Sequence, residues 1–180
     1  APGRMERKIP TIAQIHNHRS GGMKLLVVLG EGGHTKELLN LVDLLGDAYD
    51  YHYIISKEDN LSANRIKYLG PIYRLPRPRG KRARTLIAIV RTILAGTRSL
   101  WILLRVRPAA ILSTGPAIAV PVSIIGKLLG VRIIFVETGS RIKSLSLTGR
   151  IMYRWADLFF VQWPHLADKL PRAVYAGRLV

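Results

Sequence analysis

Cysteine is absent from the 180 residues, which excludes disulfides and thiolate metal sites. Acidic side chains are scarce: 11 Asp and Glu stand against 28 Lys and Arg, a net charge of +17. A field of that size draws polyanions, whether nucleic acid, anionic lipid or phosphorylated substrates. An arginine-rich surface of the thermophile kind is the blander account of the same charge. Aromatics make up only 7 % and are not interleaved with the basic runs. The stacking surface that single-stranded nucleic acid needs is therefore missing, and no nucleic-acid partner is expected. No secretory leader is visible, and no apolar run of membrane-spanning length precedes Met23. What the chain does have is apolar residues, at 48 %, too many for a disordered segment and enough for one well-formed core.

The first 22 residues are polar and basic and end in Gly21-Gly22. They are expected to be an extension, native or added, ahead of a single domain over 23–180. His16 and His18 lie in this stretch, but two histidines in a loop do not make a metal site, and no metal is expected. From Met23 onward, short apolar runs alternate with helical patterns. Lys24 to Leu29, Tyr51 to Ser56, Pro71 to Leu75, Ala109 to Ser113, Val131 to Val136, Leu158 to Val161 and Ala173 to Tyr175 are expected strands. Helices are expected from His34 or Thr35 to Leu45, Asn60 to Leu69, Thr85 to Val106, Pro116 to Leu129 with a kink at Pro121, Leu145 to Trp155, and Pro164 to Leu170. Gly130 is the expected stop of the fourth. Strands alternating with helices imply an α/β fold, a Rossmann-like open parallel sheet with helices on both faces.

Gly30-Glu31-Gly32-Gly33-His34-Thr35 joins the first strand to the first helix. Such a turn lets backbone N–H groups approach an anion, and the helix dipole favours negative charge there. Thr35 stands where the dinucleotide fingerprint has its third glycine, and the second strand ends in Ser56-Lys57 rather than in an acid for a ribose. No Gly-Lys-Ser/Thr of a P-loop is present. A nicotinamide enzyme is therefore not expected, nor any other cofactor. A neutral imidazole can act as general base near pH 7, so His34 is a candidate, with capping or a bond to a carbonyl as its alternative. Ser113-Thr114-Gly115-Pro116 and Glu137-Thr138-Gly139-Ser140-Arg141 follow later strands and belong on the same rim. Glu137 suits deprotonation of a hydroxyl or a bond to a sugar hydroxyl. An ion pair with Arg141 is the competing use. Arg141 and Lys143 suit phosphate, which a guanidinium grips with two hydrogen bonds.

Five basic residues, Arg77, Arg79, Lys81, Arg82 and Arg84, crowd the nine positions from Pro76 to Arg84. In the following helix Arg84, Arg91, Arg98 and Arg105 recur every seven residues and share one face, with Ala88, Ala95 and Ile102 between them. The other faces carry leucine, isoleucine, valine and Trp101. The helix is about 33 Å long, enough to span a bilayer. Arg91 and Arg98 would then sit near its centre, at about 2.5–3.5 kcal/mol each. Lying in the interface costs far less and places the arginines on lipid phosphates. Arg77, Arg79, Lys81, Arg82, Arg84, Arg91, Arg98 and Trp101 are therefore expected to meet an anionic membrane surface, with part of the apolar face packed on the sheet.

Several stretches carry a resemblance to a known family. They are Gly32-Gly33-His34-Thr35 with Glu37-Leu38-Leu39, Ser113-Thr114-Gly115-Pro116, and Val136-Glu137-Thr138 leading to Arg141-Ile142-Lys143-Ser144-Leu145-Ser146-Leu147-Thr148-Gly149. Ala156 to Pro164 and Tyr175 to Val180 continue it. The chain resembles the membrane-recruiting, acceptor-binding subunit of the two-part UDP-GlcNAc transferase of asparagine-linked glycosylation (subunit fourteen of that pathway). The resemblance implies the fold of the N-terminal half of a GT-B glycosyltransferase, similar to the lipid-II transferase MurG. It also implies a partner subunit that supplies the other half and most of the UDP-GlcNAc site. The implied reaction adds GlcNAc to GlcNAc on a diphosphate-linked polyprenol, at the cytoplasmic face of a membrane. That membrane would be the plasma membrane in a prokaryote or the endoplasmic reticulum in a eukaryote. On this basis His34 and Glu137 are the catalytic candidates, with the base left open between them. Gly32, Gly33, Thr35, Thr114, Gly115 and Arg141 are expected to hold the acceptor and its phosphates. Eukaryotic members begin with a transmembrane helix, which this sequence lacks before Met23. A non-catalytic recruiter of the partner, or a capsule or exopolysaccharide transferase subunit using another sugar, remain alternatives.

Overall fold

The computed structural model describes residues 22–30, 32–59, 61–76 and 85–179, with the helical backbone alone over 85–92. Expectations for the N-terminal extension, Glu31, Arg77, Arg79, Lys81, Arg82 and Arg84, and the Arg91 side chain, fall outside what is described. Strands β1 (Lys24–Val28), β2 (Asp50–Ser56), β3 (Ile72–Leu75), β4 (Ala110–Ser113), β5 (Arg132–Val136), β6 (Leu158–Val161) and β7 (Ala173–Tyr175) form one sheet. Its order is β3-β2-β1-β4-β5-β6-β7, and every pairing is parallel. The central strands read as unbroken apolar runs because both of their faces are covered.

Period-two alternation divides the core. Leu26, Val28, Ile54, Ile111, Ile133 and Phe135 point to one face. There they pack on α2 (Thr85–Val106), α3 (Ala119–Leu128), α4 (Leu147–Trp155) and α5 (Pro164–Lys169), through residues such as Ile102, Leu103, Val122, Met152 and Leu166. Leu25, Val27, Leu29, Tyr51, Tyr53 and Leu112 point to the other face, where α1 (Gly33–Leu45) covers them with Leu38, Leu39 and Val42. The expected fold class, with helices on both faces, is thus what forms.

Three helices differ from expectation. Between β2 and β3 only a 3-10 turn forms, Ser62–Arg65, in place of a helix over Asn60–Leu69. Asp59 accepts hydrogen bonds from the Leu61 and Ser62 N–H groups, and the Ser62 hydroxyl bonds Asp59 and Gly30 O. These side-chain bonds compete with the helical ladder. Helix α3 starts at Ala119, after a turn closed by Ala119 N–H on Pro116 O. Pro121 therefore lies in the first turn, where its missing N–H has no intrahelical partner to lose. Gly130, with φ 79°, ends that helix as expected. Helix α4 starts two residues later than expected because Ser146 caps it, accepting from Gly149 N–H at 2.8 Å.

Candidate functional site

In an open parallel sheet, ligands collect beyond the carboxyl ends of the strands, where the strand order reverses. Here the chain moves outward from β1 to β2 and β3 on one side and returns as β4 on the other, so the crevice opens between the loops after β1 and β4. Gly32 adopts φ 67° and ψ −127°, a backbone that side chains other than hydrogen resist, and it is the N-cap of α1. Having no side chain, it leaves the first N–H groups of α1 without a side-chain cap. The loop is braced from behind. Thr35, 1 % exposed, donates its hydroxyl to Gly30 O, and the Ser62 hydroxyl reaches the same oxygen at 3.2 Å. Thr35 therefore holds the loop in shape and does not face the crevice.

The β1 and β4 loops are pressed together. A Cβ on Gly30 would lie 2.8 Å from the Pro116 Cβ, and Thr114 donates its hydroxyl to His34 O at 2.9 Å. Thr114 is fully buried by this bond. The His34 ring lies over Gly115: a Cβ there would be 3.7 Å from His34 Cε1. His34 is partly exposed, and among the described residues its buried Nδ1 has no hydrogen-bond partner. The β4 end also carries the buried Ser113 hydroxyl, likewise without a partner among the described residues. The structure thus brings Gly32, Gly33, His34, Thr114 and Gly115 together where the β1 and β4 loops meet, with Thr114 buried beneath His34.

Glu137 is on the rim, beyond β5, but faces inward, only 1 % exposed. Its Oε1 accepts from Thr138 N–H at 3.1 Å; its Oε2 accepts from the N–H and hydroxyl of Ser146 at 3.0 and 3.1 Å. The carboxylate thus sits behind the N-terminus of α4, so close that a Cβ on Gly149 would fall 1.8 Å from Oε2. Burial raises its pKa, against the Ser146 and Thr138 hydrogen bonds and the charge of Arg141, which lower it. Arg141 and Lys143 are exposed on the loop between, and Arg141 N–H donates to Thr138 O at 3.0 Å.

A second buried acid is Glu37 of α1, whose spacing predicts no role. It is 5 % exposed and accepts from Thr138 Oγ1, from Gly139 N–H on both oxygens, and from Gln162 Nε2. A carboxylate directly ahead of Leu38 and Leu39 on a core-facing helix is the available signal. Its partners lie more than 100 residues away, which no local pattern reveals. Among the described residues, no group of three His, Asp or Glu is arranged to hold a metal.

Away from the crevice, α2 buries Ala95, Ile102, Leu103 and Val106, so the face holding Ala95 and Ile102 is the one packed on the sheet. Ile93, Leu94, Leu104 and Trp101 (58 % exposed) are open to solvent, with Arg98 beside them and the Arg105 guanidinium 5.7 Å from the Trp101 ring. Among the described residues, no helix is long and apolar enough to cross a membrane.

Residues 25–179 match the family model described as "Oligosaccharide biosynthesis protein Alg14 like". The chain is 36 % identical over 181 residues to the "UDP-N-acetylglucosamine transferase subunit ALG14" of Mus musculus, covering 88 % of this chain and 83 % of that protein. It is 37 % identical over 172 residues to the subunit of the same name in Schizosaccharomyces pombe, covering 85 % and 81 %. Among solved structures it is similar to MurG of Acinetobacter baumannii, with TM-score 0.65, 18 % identity and coverage of 79 % of this chain and 42 % of that one. It is similar as well to the UDP-GlcNAc 2-epimerase of Methanocaldococcus jannaschii, with TM-score 0.67, 15 % identity and coverage of 87 % and 46 %. The chain therefore spans less than half the length of these solved proteins, and at such identities the likeness is one of fold.

Proposed function

Because the chain belongs to the Alg14-like family of oligosaccharide biosynthesis proteins, we propose that it is the acceptor-side subunit of a two-component glycosyltransferase. The reaction we assign is transfer of GlcNAc from UDP-GlcNAc to GlcNAc on a polyprenol diphosphate. The observation that carries this reading is the match of one Rossmann-like domain to less than half of larger folded proteins, while relatives named as transferase subunits are matched over most of their length. A half-site of this kind has a crevice but needs a second chain to hold the nucleotide. We assign that task to a donor-binding partner.

In this mechanism the acceptor's diphosphate rests at the N-terminus of α1, where Gly32 and Gly33 offer uncapped N–H groups and a favourable dipole. Arg141, exposed on the adjoining loop, adds a positive charge. His34 takes the proton from the acceptor hydroxyl as that oxygen attacks the anomeric carbon of GlcNAc. The sugar's bond to UDP breaks, and UDP leaves with the bonding electrons on the side of the partner. The burial of Glu137, with both oxygens already accepting bonds, favours His34 over Glu137 as base. Glu137 instead fixes the start of α4 and the loop that carries Arg141.

Recruitment to the cytoplasmic face of a membrane is assigned to α2. Ile93, Leu94, Trp101 and Leu104 would enter the lipid boundary while Arg98 and Arg105 meet phosphates. The basic segment with Arg77, Arg79, Lys81, Arg82 and Arg84 precedes the helix in sequence and would add to this attraction. Flotation with phosphatidylserine-containing vesicles tests it: reversing Arg77, Arg79, Lys81 and Arg82 to Glu should release the protein, and unchanged flotation would count against it. The rival role, a recruiter with no chemical part, predicts that replacing His34 by Ala in the assembled enzyme leaves the rate intact.

A further inference from the structure

Glu37 and Gln162 tie together three pieces of chain that are distant in sequence. Glu37, on α1, accepts from Thr138 Oγ1 at 2.9 Å and from Gly139 N–H at 3.2 Å. Gln162, just after β6, donates Nε2 to Glu37 at 3.0 Å and to Glu137 O at 3.1 Å. The same Gln162 turns its Oε1 outward to accept from Leu179 N–H at 2.8 Å. Glu37 is therefore a buried carboxylate held by neutral donors, with one of those donors leading directly to the C-terminal segment.

That segment is seated by further contacts. Asn40, one turn along α1 from Glu37, donates to Leu179 O at 2.9 Å. The Arg178 guanidinium lies 4.4 Å from the Trp163 ring centre, and Trp163 Nε1 donates to Gly139 O at 2.8 Å. Residues 178–179 thus touch the turn Thr138–Arg141 by two routes, one through Gln162 and one through Trp163. The turn in turn sets Arg141, whose N–H is held by Thr138 O. Among the described residues Glu37 has no cationic partner, and a buried carboxylate is costly unless its donors are well placed, so these donors favour a single arrangement of the cluster.

We propose that Glu37 and Gln162 are positioning residues that set the Thr138–Arg141 turn, and that through them the turn senses whether residues 178–179 are in their seat. A chain that moves the C-terminal segment, or clamps it, then alters how Arg141 is presented to an anionic acceptor. The turn itself need not be touched. The link from the turn to catalysis rests on the proposed function; the link from the segment to the turn does not.

Residue-resolved amide hydrogen exchange on the full chain tests the second link without any activity. Asn40→Ala/Arg178→Ala removes two anchors of the segment and leaves Glu37 and Gln162 in place. Exchange at Gly139 and Arg141 should rise about tenfold, the scale expected when roughly one net hydrogen bond of restraint is lost. In a Gln162→Ala/Trp163→Phe background, which removes both the Gln162 bridge and the Trp163 Nε1 bond to Gly139 O, the same pair of changes should add little to the exchange at Gly139. Unchanged exchange at Gly139 and Arg141 in Asn40→Ala/Arg178→Ala, whatever happens at Leu179, would overturn the proposal. In the assembled enzyme, Glu37→Gln should raise the acceptor KM about tenfold while kcat and the donor KM change little, the signature of lost binding rather than lost chemistry. A fall in kcat with unchanged acceptor KM would overturn the positioning role.

Discussion

Glu137→Gln distinguishes a base from a brace. Three donors converge on the Glu137 carboxylate: Thr138 N–H on Oε1, and the N–H and hydroxyl of Ser146 on Oε2. A glutamine of the same shape has one accepting oxygen. Turned toward Ser146, it leaves its NH2 against the Thr138 N–H, donor against donor, at a site only 1 % exposed. One buried donor left unpaired costs about 1–3 kcal/mol. The pH dependence adds an independent signature. Burial raises the carboxyl pKa above its ordinary 4.5, so the native state holds this proton more tightly than the unfolded chain does. The corresponding stability is present at acid pH and is lost as pH rises from the unfolded value through the native one. Glutamine has no proton to release. Urea titrations from about pH 4 to about pH 8 should therefore show wild type more stable at the acid end and the gap narrowing as pH rises. Parallel curves would refute the burial argument. The assembled enzyme carrying Glu137→Gln should keep its rate within about tenfold, whereas a loss of about 10²–10⁴ would return Glu137 to the role of base.

Gly149→Ala should be far more damaging than the same change on an exposed helix, because its Cβ would fall 1.8 Å from Glu137 Oε2. Overpacking of this kind costs about 1–3 kcal/mol, readable as a lower urea midpoint. Phe135 is fully buried and stacked on Phe159 with ring centres 5.2 Å apart; Phe135→Ala should cost about 3–5 kcal/mol in thermal or urea unfolding. Trp101→Ala should weaken flotation with vesicles while leaving the unfolding free energy within about 0.5 kcal/mol, since the ring is 58 % exposed. A large stability loss at Trp101 would mean that the ring supports the fold rather than meeting lipid.

The sheet was legible because its strands are covered on both faces. Runs such as Lys24 to Leu29 and Val131 to Val136 need no alternation to be recognised, and glycine turns or helical patterns bound them. The segment after β2 has the pattern of a helix but does not form one, because Asp59 and Ser62 use their side chains on the backbone and on Gly30, across 32 residues. The crevice was half legible. The strand-end rule put Gly32, His34, Gly115 and Glu137 on one rim, and they are there. It says nothing of where a side chain points, and Glu137 turns into the base of α4 while Thr35 turns behind the loop. Glu37 and Gln162 were beyond such reasoning, since their meaning lies in contacts separated by 125 residues. The face of α2 packed on the sheet was likewise set by its neighbours. The arginine repeat alone did not reveal that Ala95 and Ile102 lie beneath.

The acceptor-half assignment stands or falls on transfer of radiolabelled GlcNAc from UDP-GlcNAc to GlcNAc-diphosphate-polyprenol. The assay would use this chain, a purified donor-binding subunit, and the two mixed. Transfer should appear only in the mixture and should fall by about 10²–10⁴ when His34→Ala replaces the wild-type chain. Transfer by this chain alone at the mixture's rate, or a mixture indifferent to His34→Ala, would contradict it.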